Sequence, residues 1–129
     1  MASNVSIDQL AAEITKAMRQ YTDDVSAAVA EAVDEAADEI LNEVKSNHPY
    51  RDRTGEYTKG FRKTKRDEPG HTRRIIWNRK HYRRVHLLEF GHAKRGGGRV
   101  PAYPHLRPAF DKHAPKLEER IKQIIRNGG

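Results

Sequence analysis

Apolar residues recur along the first third of the chain at Ile7, Leu10, Ile14, Met18, Tyr21, Val25, Val29, Val33, Ala36, Ile40 and Val44. That is 37 residues in ten steps, about 3.7 per step, close to the period of an α-helix. Ser6 stands where an N-cap belongs, with Asp8 in the first turn. No glycine or proline interrupts residues 6–47, and alanines crowd residues 27–37. His48-Pro49 is the expected stop, because a residue before proline is pushed out of the α region. Thr22-Asp23-Asp24 has the character of an internal N-cap, yet the apolar phase runs straight across it. The pattern therefore predicts one helix of roughly 60 Å at 1.5 Å per residue. A helix of that length outruns a small core, so part of it is expected to touch another subunit.

The remaining pattern is broken into short pieces. Residues 48–55 read as turns. Tyr57–Lys65 and Thr72–Asn78 read as two β segments joined by the turn Asp67-Glu68-Pro69-Gly70, a hairpin. Between His81 and Phe90, Tyr82, Val85 and Leu88 fall at helical spacing, while Val85 and Leu87 would share a strand face. The helical reading is preferred. Residues 91–100 form a glycine-rich basic loop expected to be mobile. Three prolines follow at 101, 104 and 108, and a final helix is expected to begin near Leu106–Pro108 with Leu106, Phe110, Leu117, Ile121, Ile124 and Ile125 on its apolar face. The prediction is an α+β fold in one domain over 1–129: a long acidic N-terminal helix over 1–47, then a basic body over 48–129. That body holds a small antiparallel β-sheet and a C-terminal helix packed on the sheet.

Charge sharpens this division. The chain of 129 residues carries a net +7, but residues 1–47 hold ten acids against three bases, a balance of −7. Residues 48–129 hold 22 bases against eight acids, a balance of +14. Such segregation suggests two surfaces with different partners. A basic face attracts nucleic acid, and an acidic helix can lie on a neighbour's basic surface. Hydrophobic residues make up 36% of the chain, and no apolar run approaches the roughly 18 residues of a membrane span. The opening MASNVSIDQL lacks the basic and apolar regions of a signal peptide. With no cysteine, disulfides and thiolate chemistry are excluded, and a reducing cytoplasm suits the chain.

Candidate chemistry is thin. His86, Glu89 and His92 form an H-x-x-E-x-x-H string, which lacks the H-E-x-x-H spacing that sets two ligands one helical turn apart. Surface or packing histidines are the better reading. The acids of the basic half are scattered with no pair spaced for a two-metal clamp, and no nucleophile or phosphate-binding motif occurs. No enzymatic activity, metal or cofactor is expected. Basic pairs alternate with Phe61, Trp77, Tyr82 and Phe90, which suits contact with phosphates and offers no base-reading element. The aromatics are better read as core.

One longer pattern carries more. Leu87-Leu88-Glu89-Phe90-Gly91-His92 is followed by a short loop, then by Pro101-Ala102-Tyr103-Pro104-His105-Leu106-Arg107-Pro108-Ala109-Phe110 and an amphipathic helix. This resembles the tailed-phage family of neck or tail-completion proteins of the minor tail protein Z type. That family shows V/L-E-F-G-T, a loop, P-A-x-P-F-L-R-P-A and a closing helix. Arg53-Thr54-Gly55 stands where the family has R-T-G. The chain departs from the pattern at His92 (usually Thr) and His105 (usually Phe), and in its longer loop.

The resemblance implies a structural protein of the virion neck or tail, assembled in the host cytoplasm. It would be a homo-oligomeric ring, expected to be hexameric, joining tail to head around the DNA channel. Its neighbours would be a head-closure or adaptor protein and a tail terminator or tail-tube protein. Glu89, Phe90, Gly91, Pro101, Pro104, Leu106, Arg107 and Pro108 become candidate subunit contacts, and Lys94, Arg95 and Arg99 candidate contacts to DNA or to an adjoining ring. Glu89 and Arg107 are expected to form an ion pair between the two halves of the motif, so Glu89→Ala should impair folding or assembly. The alternative is a small basic protein binding DNA without sequence preference.

Overall fold

The computed structural model describes residues 6–129. The first five residues, part of the opening read above for a leader, lie outside it. The periodic segment forms a single helix, α1 (Ile7–Ser46), unbroken at Thr22-Asp23-Asp24. Ser6 and Gln9 close a reciprocal capping box at its start, which satisfies two of the amides that a helix N-terminus leaves unpaired. Short elements follow: α2 (Glu56–Lys59), β1 (Phe61–Lys65), β2 (Arg74–Asn78), α3 (Tyr82–Phe90), β3 (His92–Ala93), β4 (Arg99–Val100) and α4 (Leu106–Asn127).

The architecture is α+β, as expected, with two small antiparallel sheets rather than one. β1 and β2 form the expected hairpin, pairing Phe61 with Asn78 and Lys65 with Arg74. Tyr57 departs from its predicted strand. Asp52 accepts the Gly55 and Thr58 amides at 3.1 and 2.9 Å, which closes a helical turn where a strand was read. Tyr57 and Phe61 still face the core together, because a spacing of four residues keeps two side chains on one side of a turn. The ends of the glycine-rich loop pair as β3 and β4. α4 packs chiefly along α1, and the sheet takes a separate place beside it on the same helix. The reason lies in the small side chains Ala32, Ala36 and Ala37, all buried on α1, which let another helix approach closely.

The core joins Val44, Tyr50, Tyr57, Phe61 and Ala109, with Ile40, Leu41, Ile76, Val85, Leu88 and Leu106 around it. Every core residue taken from α1 lies in its second half. Charge fastens the pieces there. Lys63 meets Asp34 and Asp38 at 2.9 and 2.6 Å, and Arg74 lies between Asp34 and Asp67 at 2.7 and 2.6 Å. Lys112 pairs with Glu43 at 2.7 Å, and Arg120 pairs with Glu35. Much of the acidity in the second half of α1 is thus matched within the same chain.

This pinning has a pH signature. The hydrogen bonds from Arg74 and then Lys63 hold the Asp34 carboxyl down from 3.8 to about 2, against a smaller opposing effect of burial. A depressed carboxyl stabilises the fold above its unfolded pKa, and that stability is lost as pH falls through the folded value. Unfolding midpoints should therefore decline between about pH 4 and pH 2, and Asp34→Asn should flatten the decline. A chemical-denaturation series across that window would show it. An Asp34→Asn variant with the same slope as the parent would remove Asp34 from the account.

Candidate functional site

The two halves of the Glu89–Phe110 motif meet in a clasp. α3 carries Glu89 to its last turn, and the carboxylate is buried, 8% exposed. Its Oε1 accepts the amides of His105 and Leu106, each at 2.6 Å, and its Oε2 accepts the Arg107 amide at 3.4 Å. A helix leaves its first four amides without partners. Here three go to Glu89, and the fourth position is Pro108, which has no amide to satisfy. The carboxylate also sits at the positive end of the α4 dipole. The Tyr103 amide donates to the Leu88 carbonyl at 2.6 Å, a second tie between the halves.

The expected Glu89–Arg107 ion pair is not what joins them. The Arg107 guanidinium turns outward to Asp111 at 3.1 Å and is largely exposed; its contribution to the clasp is its backbone amide. A guanidinium drawn into this buried site would lose its hydration, whereas the backbone amides satisfy the carboxylate without burying a second charge.

Gly91 makes the clasp geometrically feasible. Its φ of 68° and ψ of −179° lie in a region open essentially to glycine alone. A Cβ there would lie 2.6 Å from the Val100 carbonyl oxygen and 3.0 Å from the Ala102 nitrogen. Pro101 and Pro104 lie in the extended segment between β4 and α4, exposed to solvent. Phe90 is 65% exposed and lies against the His86 ring, centroids 5.0 Å apart. At the hairpin, the Lys94 amide donates to the Gly98 carbonyl at 2.9 Å, and the Arg99 guanidinium donates to the Phe90 carbonyl at 3.1 Å. Lys94, Arg95 and Arg99 are exposed.

His105, standing where the resembled family has Phe, is 2% exposed. Its ring is set among Tyr50, Tyr57 and Phe61, with centroids 4.8, 5.7 and 5.7 Å away. It fills an aromatic position, and both of its nitrogens find partners. Nδ1 lies 2.9 Å from the Tyr103 carbonyl and 2.9 Å from Glu89 Oε1, both acceptors, so Nδ1 carries the proton. Nε2 lies 2.8 Å from the Tyr57 hydroxyl, within hydrogen-bond distance. Burial and the neighbouring Tyr50 and Glu89 push the Tyr57 hydroxyl far above its usual range, so it keeps its proton. The chain Tyr57–His105–Glu89 therefore belongs to the packing of the clasp.

The His86, Glu89, His92 string does not gather into a metal site, since Glu89 is committed to the α4 amides. Among the described residues no three His, Asp or Glu side chains converge to hold an ion. No helix among them is long and apolar enough to cross a membrane.

One feature escaped the sequence reading, and another was foreseen only in outline. Asn78 is 1% exposed; its amide donates to the Tyr57 carbonyl at 2.8 Å, and its oxygen accepts the Lys80 and His81 amides at 3.2 and 2.9 Å. An Asn just ahead of a helix was the available signal. The sequence expected α1 to outrun the core but did not say which part is left uncovered. Tyr21 donates to the Ile125 carbonyl at 2.7 Å, so α4 reaches back that far. Before it, Ile7, Leu10, Ile14 and Met18 are 86, 51, 50 and 65% exposed, one apolar row on a projecting arm.

Among known protein families, the HK97-gp10-like model, described as "Bacteriophage HK97-gp10, putative tail-component", matches residues 12–91, which is 80 of the 129 residues. The match runs from the arm of α1 through Glu89-Phe90-Gly91 and stops at the first half of the clasp. No curated protein and no solved structure matched the chain.

Proposed function

The chain belongs to the HK97-gp10-like family of bacteriophage tail components, and from that premise we propose that it serves in the virion as one copy of a homo-oligomeric ring at the joint between head and tail. The observation that carries this reading is the arm of α1. A free helix of about 15 residues is marginal in water, and a row of four large aliphatic side chains along it is unfavourable unless something covers them. Among the described residues, nothing in the same chain does. A ring of identical copies covers every arm at once and leaves a central opening for DNA.

In this reading the body supplies shape and the charged surface supplies steering. Arg79, Lys80, Arg83, Arg84, Lys94, Arg95 and Arg99 form no ion pair among the described residues. They are free to meet phosphates of passing DNA or acids of an adjoining head-closure or tail-tube ring. The reading predicts that the purified chain, followed by mass photometry over a concentration series and by negative-stain electron microscopy, gives closed rings, six copies being the expected number. A chain that stays monomeric at every concentration and shifts DNA in a salt-sensitive manner would replace it with the DNA-binding alternative.

A further inference from the structure

Two apolar surfaces of this chain lack cover among the described residues, and their dimensions correspond. The first is the arm row Ile7, Leu10, Ile14 and Met18. The second is an open trough of about 330 Å³ between the second half of α1 and α4. Val33, Ala37 and Ile40 of α1 and Leu106, Phe110 and Leu117 of α4 form its long walls, and Ile76 and the ion-paired Arg74 of β2 complete the lining. Phe110 is 54% exposed at its lip.

We propose that the arm of one copy lies in the trough of the next, so that the ring inferred above closes through a repeated head-to-tail contact. This rests on the ring reading and specifies its interface.

The chain cannot fill its own trough. Met18 and Val33 lie on one uninterrupted helix, 15 residues and so roughly 22 Å apart along the axis. A straight helix does not fold back on itself, so the arm must leave its own body. The lengths agree. Ile7 to Met18 and Leu106 to Leu117 each span 11 residues, roughly 16 Å of helix. The arm's anchors fall three, four and four residues apart, the spacing of a helix laid into an apolar groove. Its charges, Asp8 and Glu13 against Lys16 and Arg19, cancel, so docking brings no net charge to a lining whose one charged member, Arg74, is already paired with Asp34 and Asp67.

A single such contact is small for a stable assembly. Four aliphatic side chains remove on the order of 400 Å² from water, about half of the roughly 800 Å² per partner found in stable pairs. A copy within a closed ring makes this contact twice, once with its arm and once with its trough. Two different patches joined head to tail give a ring when the rotation closes.

The absence of cysteine gives a clean test. Copies carrying Leu10→Cys and copies carrying Phe110→Cys are mixed, allowed to assemble, and treated with a short bismaleimide. Mixed covalent dimers should form at least tenfold more than dimers from either variant alone. Dominant dimers in the Leu10→Cys sample alone would overturn the proposal in favour of an arm-to-arm contact. In a second measurement, Leu10→Asp/Ile14→Asp, which changes only exposed positions, should abolish rings while leaving the circular dichroism of the body unchanged. Rings that persist in that variant overturn the arm–trough contact and leave the ring reading standing. An unaltered chain that never assembles overturns both.

Discussion

Glu89→Ala should destabilise the fold by about 4 kcal/mol, since one buried carboxylate serves three amides. Hydrogen bonds to a charged group contribute about 1.5–3 kcal/mol each, and removing one partner of a buried charged network costs roughly 3–5 kcal/mol. Truncation leaves the amides of His105, Leu106 and Arg107 facing a small void without acceptors. His105 Nδ1 keeps only the Tyr103 carbonyl. At roughly 4 °C per kcal/mol for a domain of this size, the melting temperature should fall by on the order of 15 °C. Glu89→Gln keeps an oxygen acceptor but turns an amide donor towards other donors, so about half the loss is expected. Urea unfolding followed by circular dichroism measures both. A Glu89→Ala protein within about 1 kcal/mol of the parent would show that the cap is not what holds α4 in place. Because Leu106, Phe110 and Leu117 are set by that helix start, the same variant should also fail to assemble.

Gly91→Ala should cost about 3 kcal/mol or more, from two separate causes. A side chain at that φ and ψ strains the backbone by about 1–3 kcal/mol. The new methyl would also lie 2.6 Å from the Val100 carbonyl oxygen, a backbone atom that cannot swing aside. Gly97→Ala isolates the first cause. Gly97 has a φ of 103°, yet a Cβ there would meet nothing within 4 Å. Its loss should be about 1 kcal/mol. The two unfolding curves taken together are the test: equal losses would mean that the close approach to Val100 carries no energy of its own. If the clasp is strained rather than abolished, the segment from Val100 to Tyr103 should exchange its amide hydrogens faster.

A linear pattern carries some of these residues and hides others. α1 was legible because its apolar residues keep one period and no glycine or proline interrupts them. The β1–β2 hairpin was legible from its turn, and α3 from the spacing of Tyr82, Val85 and Leu88. The α2 turn was not, because Asp52 closes it through side-chain bonds to Gly55 and Thr58 that leave no mark on periodicity. The motif pointed to Glu89 but suggested the wrong partner. Opposite charges invite pairing on paper, whereas in a buried site backbone amides satisfy a carboxylate without desolvating a second ion. His105 looked like a departure from its family, and only its neighbours Tyr57 and Tyr103 reveal how an imidazole occupies an aromatic site. The place of α4 along α1 was hidden for a simpler reason: alanines read as helix formers before they read as a docking stripe.

The pairing of α1 with α4 also sets an order of events during synthesis. Leu106 follows Ser46 by 60 residues, so at roughly 5–20 residues per second the first helix waits several seconds on the ribosome before its partner exists. In that interval its second half lacks both the close-packed neighbour and the bases that neutralise Glu35 and Glu43. Clusters of neighbouring ribosomes on one message would otherwise bring many sticky helices together. On the proposed contact the receiving trough includes α4, so an unfinished chain would offer an arm but nothing to accept one. If arms dock in troughs as proposed, growth of the assembly is deferred until the second wall has emerged, through nothing more than the order of the helices.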